Sequence, residues 1–96
     1  MNNVNLTNKK ILLVDDTPEF LEIIKIKLEQ SGFMVETANN GKEAIEKIRS
    51  NDYDLIILDV MMPEMDGIET ALEIMKIKNN AKFVFLTNYG EDNPLV

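Results

Sequence analysis

The chain has 96 residues, enough for one domain and too few for two. A hydrophobic share of 45% beside 28% charged residues excludes a disordered polymer, and no apolar run nears the roughly 20 residues that span a bilayer. Seventeen acidic against ten basic residues leave a net charge of −7, which argues against direct nucleic-acid binding, and the lack of cysteine excludes disulfides and thiolate metal sites.

Residues 1–8 read as a polar N-terminal tail without the basic-then-apolar order of a signal peptide, so a soluble, cytoplasmic chain is expected. Ile11-Leu12-Leu13-Val14 is a continuous apolar run closed by Asp15-Asp16, and it predicts a first strand. Thr17-Pro18 then fits a helix cap and a first-turn proline; Leu21, Ile24 and Leu28 line one face, and Ser31-Gly32 supplies the stop. Phe33–Thr37 predicts a second, more mixed strand. Asn40-Gly41-Lys42-Glu43 resembles a capping box for a second helix, with Ala44, Ile45 and Ile48 turned inward. Leu55–Leu58 is a third apolar strand ending in Asp59, and Asp66-Gly67-Ile68-Glu69 caps a third helix continued by Ile68, Ala71, Leu72 and Met75. Phe83–Leu86 predicts a fourth strand ending in Thr87, and a further helix could begin near Glu91.

Alternating strands and helices imply a parallel sheet with right-handed crossovers and helices on both faces. Runs that are apolar without alternation agree, because a sheet covered on both faces has no wet side. Ligands of such sheets bind at the carboxyl ends of the strands, where strand order reverses. Asp15-Asp16, Asp59 and Thr87 all fall at those ends. Any one of them alone could simply cap the next helix. Thr17 and Asp66 already suit that task, which leaves the three aspartates without a capping role. Gathering three carboxylates costs electrostatic energy that a divalent cation removes, and oxygen-only ligands suit Mg²⁺ or Mn²⁺. Aspartate is also a nucleophile in phosphoryl transfer, and the Thr87 hydroxyl could bond a phosphoryl oxygen. The residues thus describe an acidic, hard-metal pocket suited to phosphate chemistry.

The run Asp59-Val60-Met61-Met62-Pro63-Glu64-Met65-Asp66-Gly67 closely resembles the signature of response-regulator receiver domains. Asp15-Asp16 and Thr87 stand where that family places its acidic pair and its switch hydroxyl. The resemblance covers essentially residues 1–96. It implies a flavodoxin-like, three-layer α/β/α fold of strand order 2-1-3-4-5. It further implies that Asp59 accepts a phosphoryl group from a sensor histidine kinase or phosphotransfer protein. Asp15, Asp16, Asp59 and the Met61 backbone carbonyl would hold Mg²⁺, and Thr87 would report phosphorylation. Apart from Mg²⁺-dependent self-phosphorylation and self-dephosphorylation, no enzyme activity is expected.

The family pattern is incomplete here. The chain reads as stopping after the fourth strand, without the fifth strand and helix or the lysine that meets the phosphoryl group. Lys82 precedes the fourth strand and should lie at the opposite edge of the sheet. Asn88 stands where a small residue is usual. The fourth strand becomes an exposed edge, which reads first as the mark of a fragment of a longer protein and otherwise as open to a second copy, in a homodimer through that edge or through helix faces. Two other functions compete: a degenerate receiver that acts only as an interaction module, and a metal-dependent phosphohydrolase. Against the second, Met61 occupies the position of the second aspartate such enzymes carry. The methionines and Tyr89 read mainly as core and loop filling, and Lys25, Lys27 and Glu29 as a solvated helix face.

Overall fold

Strands and helices alternate along the whole described chain. The computed structural model describes residues 9–62 and 65–86, so the expectations for Pro63, Thr87, Asn88, Tyr89 and residues 1–8 fall outside it. The elements are β1 (Lys10–Val14), α1 (Pro18–Gln30), β2 (Met34–Ala38), α2 (Gly41–Ser50), β3 (Leu55–Asp59), α3 (Gly67–Ile77) and β4 (Phe83–Leu86). All strand pairs are parallel, in the order β2-β1-β3-β4, so Ile11 lies between Val35 and Leu55. β2 begins one residue later than its apolar pattern suggested, and β3 runs through Asp59 itself.

The pleat sends alternate side chains to opposite faces, and each face has its own core. Leu12, Val14, Ile56 and Leu58 pack with Ala44 and Ile48 of α2 and Ala71 and Ile74 of α3. Ile11, Leu13, Val35 and Ile57 pack with Leu21, and Ile24 and Leu28 of α1 close that layer. α1 ends at Ser31, followed by Gly32 at φ 100°, a left-handed turn that glycine makes without a steric penalty. β4 is the outer strand among the described residues, with Val84 and Phe85 more than 40% exposed. Both of its faces are thus open at those two positions.

Not all the apolar residues of α3 face inward. Gly67, Thr70, Ala71 and Ile74 are buried, whereas Ile68, Leu72 and Met75 are exposed. Close approach decides the phase. A Cβ on Gly41 of α2 would lie 2.3 Å from the Thr70 hydroxyl, so α2 and α3 meet through small residues. Thr70 stays fully buried because its hydroxyl donates to the Asp66 carbonyl at 2.8 Å. The methionines divide in the same way: Met62 joins the core, while Met61 and Met75 are exposed.

Candidate phosphoacceptor site

Parallel order places the carboxyl ends of β1 and β3 side by side, with β2 paired to the far side of β1. This is where successive crossovers leave β1 in opposite directions, the place where such sheets bind ligands. Asp15 follows β1 and Asp59 closes β3. The Asp15 N–H donates to the Ala38 carbonyl at 3.1 Å, so Asp15 is held as if the β1–β2 ladder ran one residue further. Asp59 keeps its ladder position opposite Leu86 of β4. Both side chains are 5% exposed, and Asp16 beside them is exposed.

One carboxylate oxygen from each of Asp15, Asp16 and Asp59 lies within 4.8 Å of those of the other two. The structure thus brings the three acids together, and two of them perform local tasks that the sequence pattern did not show. Thr17 caps α1 without a side-chain hydrogen bond; instead its N–H donates to Asp15 Oδ1 at 2.9 Å. The Met61 N–H donates likewise to Asp59 Oδ1 at 3.0 Å. Each turn fixes one oxygen of a carboxylate and so orients the other. The helix starts also differ in detail. At α2 the Asn40 side chain accepts from the Glu43 N–H, but Glu43 reaches back to Asn39 rather than to Asn40. At α3 the capping box between Asp66 and Glu69 is complete.

Gly67 ties the start of α3 to the end of β3. Its N–H donates to the Val60 carbonyl at 3.2 Å, and a Cβ there would stand 2.3 Å from the Asp59 carbonyl oxygen. The start of α3 thus rests directly on the backbone that carries Asp59, and only a residue without Cβ fits. Asp66-Gly67 in the sequence signals a turn, but not which backbone the turn must touch.

The electrostatics of the cluster are unfavourable as it stands. Burial pushes the Asp15 carboxyl above its usual range, and the charges of Asp59 and Asp16 push it the same way against the Thr17 N–H. Among the described residues no lysine or arginine forms an ion pair with Asp15, Asp16 or Asp59. Three hard oxygen donors and unrelieved negative charge are what a small divalent cation requires. These residues fit Mg²⁺ or Mn²⁺. The acids line a cavity of about 560 Å³ together with Thr17, Phe20, Met61 and Leu86. Phe20 and Leu86 had no part in the sequence reading of the site, because their contribution depends on how α1 and β4 approach β3. A second cleft, of about 370 Å³, opens near the amino ends of the strands beside Asp52, Tyr53 and Lys78, which already bond within it or at its rim. Lys82 lines that cleft, at the edge of the sheet opposite the aspartates, as expected.

Comparison with known proteins agrees with this geometry. The profile of the response regulator receiver domain matches residues 11–96. A transcriptional regulatory protein CpxR homolog of Haemophilus influenzae is 52% identical over 83 residues, covering 86% of this chain and 36% of the relative. The chain thus spans about a third of the length of the curated relatives it matches. The response regulator TrrA of Thermotoga maritima, solved with Mg²⁺ and BeF, superimposes with a TM-score of 0.80 at 48% identity, over 85% of this chain and 71% of that one. TrrA in complex with the histidine kinase ThkA gives a TM-score of 0.79 at 46% identity, over 88% and 73% of the two chains.

Proposed function

This chain belongs to the response regulator receiver domain family of two-component signalling, and from that premise we propose that Asp59 accepts a phosphoryl group from a histidine kinase. One observation carries the assignment. Asp59 is a nearly buried carboxylate with one oxygen held by the Met61 N–H, and it shares a cavity with Asp15 and Asp16. The kinase bound to TrrA supports a donor of the same class.

The free Asp59 oxygen attacks the phosphorus as the donor's bond to it breaks, giving an acyl phosphate. Asp15, Asp16, Asp59 and the Met61 backbone carbonyl would hold Mg²⁺ or Mn²⁺. When bound, the metal ion offsets the negative charge that the phosphoryl oxygens add to the cluster. Asp15 and Asp16 also exclude an unassisted second anion, so phosphorylation without a divalent cation is negligible. Thr87, the residue that follows Leu86 in the sequence, donates its hydroxyl to the new phosphoryl group and is drawn toward it. That displacement is the signal a partner reads. Beyond this transfer and its reversal by water, the domain regulates rather than turns over a substrate.

The test is incubation of the protein with acetyl phosphate and Mg²⁺, followed by intact-mass and peptide analysis. One phosphoryl group on the peptide carrying Asp59, absent from Asp59→Asn and after chelation, is the expected result. Phosphodonor-independent partner binding, with no mass gain at all, would instead favour a receiver that acts only as an interaction module.

A further inference from the structure

We propose that Met61 is an oxidation site that couples peroxide exposure to the lifetime of the phosphoryl group on Asp59. The inference rests on Asp59 being the phosphoacceptor. Met61 is 69% exposed, against 7% for its neighbour Met62. Its N–H is bonded to Asp59 Oδ1 at 3.0 Å, and with Phe20 and Leu86 it supplies the apolar lining of the cavity that the aspartates also line. The chain has no cysteine, so its oxidisable sulfur is all thioether. One such side chain, largely exposed, lines the phosphoacceptor cavity.

The step needs only a hydroperoxide. A lone pair of the Met61 sulfur attacks the outer peroxide oxygen; the S–O bond forms as the O–O bond breaks. Sulfur loses two electrons to give the sulfoxide, and the peroxide is reduced to water or an alcohol, which keeps the proton. The product is polar, chiral and reducible by methionine sulfoxide reductase. An apolar wall keeps water from the acyl phosphate, and a sulfoxide oxygen in the same wall recruits it. Oxidation of Met61 therefore hastens hydrolysis.

Limiting hydrogen peroxide followed by peptide mapping should oxidise Met61 ahead of Met34, Met62, Met65 and Met75. Protein phosphorylated by acetyl phosphate and Mg²⁺ should then lose its phosphoryl group roughly threefold faster in the sulfoxide form. Reductase treatment should restore the original half-life, and Met61→Leu should show no response to peroxide. Equal half-lives for the two forms, or oxidation of Met61 no earlier than Met62, would overturn the inference. If the unoxidised protein takes no phosphoryl group, the assignment of Asp59 fails instead. The inference, which rests on that assignment, then falls with it.

Discussion

The two edges of the sheet carry the same kinds of side chain in opposite arrangements. At the amino ends of the strands the acids are answered. Glu36 of β2 accepts from the Tyr53 hydroxyl and pairs with Lys10 at 3.3 Å; Lys10 also lies 5.1 Å over the Tyr53 ring. Lys78 pairs with Asp52, and the Lys10 N–H donates to Asp54. At the carboxyl ends Asp15, Asp16 and Asp59 face one another, with no lysine or arginine paired to them among the described residues. The titration behaviour divides accordingly. The Tyr53 hydrogen bond and Lys10 hold the Glu36 carboxyl below its usual range, while burial, Asp59 and Asp16 hold Asp15 above its own. One edge is arranged for the folded state alone. The other stores repulsion that a ligand relieves, which is the usual relation between a binding site and stability.

That contrast can be tested most strongly with the metal itself. Mg²⁺ at a hundred times its dissociation constant should raise unfolding stability by about 2.7 kcal/mol, by mass action alone. Asp59→Asn should abolish most of this gain, and Glu36→Gln should leave it intact; urea titrations with and without Mg²⁺ decide. A Mg²⁺ effect that survived Asp59→Asn would place the cation elsewhere.

Next in size is the support beneath the acidic edge. Gly67→Ala forces a methyl group against the Asp59 carbonyl, and should cost about 2 kcal/mol with loss of Mg²⁺ affinity. Normal stability and affinity in that variant would mean that the start of α3 does not brace Asp59.

Smaller, and opposite in sign, is relief of the repulsion. In metal-free protein Asp15→Asn should raise stability by about 0.5–1 kcal/mol at neutral pH, the scale of one close like-charge contact. The side-chain carbonyl that this substitution leaves can still accept from the Thr17 N–H, so the turn survives. Because folding raises the Asp15 pKa above its ordinary 3.8, this carboxyl stabilises the fold fully below that pH. Its contribution is lost as pH rises through the folded value, so the advantage of Asp15→Asn should shrink in acid.

The answered edge should behave in reverse and more weakly. Glu36→Gln should cost about 0.5 kcal/mol, the usual size for a partly exposed pair. Folding lowers the Glu36 pKa below its ordinary 4.5, so its contribution is present above that pH and lost as pH falls through the folded value. Relative to the parent protein, melting curves of the two variants should differ in opposite directions at neutral pH and converge on it as pH falls, Glu36→Gln only below the ordinary glutamate range.

How much of this was legible beforehand depended on the range of the interaction. Apolar runs such as Ile11–Val14 and Leu55–Leu58 declare buried strands, because no solvated strand tolerates them. Caps such as Asp66 with Glu69 are equally local and were found as expected. The buried face of α3 was not legible in the sequence, because Ile68 and Leu72 outrank Thr70 in hydrophobicity but not in fit against Gly41. Asp15 and Asp59 appeared free of local duties, although the Thr17 and Met61 amides bind one oxygen of each. The pairing of Lys10 with Glu36 and of Lys78 with Asp52 went unread, since each joins residues distant along the chain.

What the sequence determined by itself was the order of strands and helices, the family, and the identity of the three aspartates at the strand ends. Those follow from local periodicity and from a contiguous motif. Tertiary structure alone decided that β1 and β3 lie side by side, bringing Asp15 and Asp59 into one cavity walled by Phe20, Met61 and Leu86. It alone decided which carboxylates are answered by lysine and which are left facing one another. The physical reason is that charge and close packing act through space, between residues whose separation along the chain says nothing of their distance.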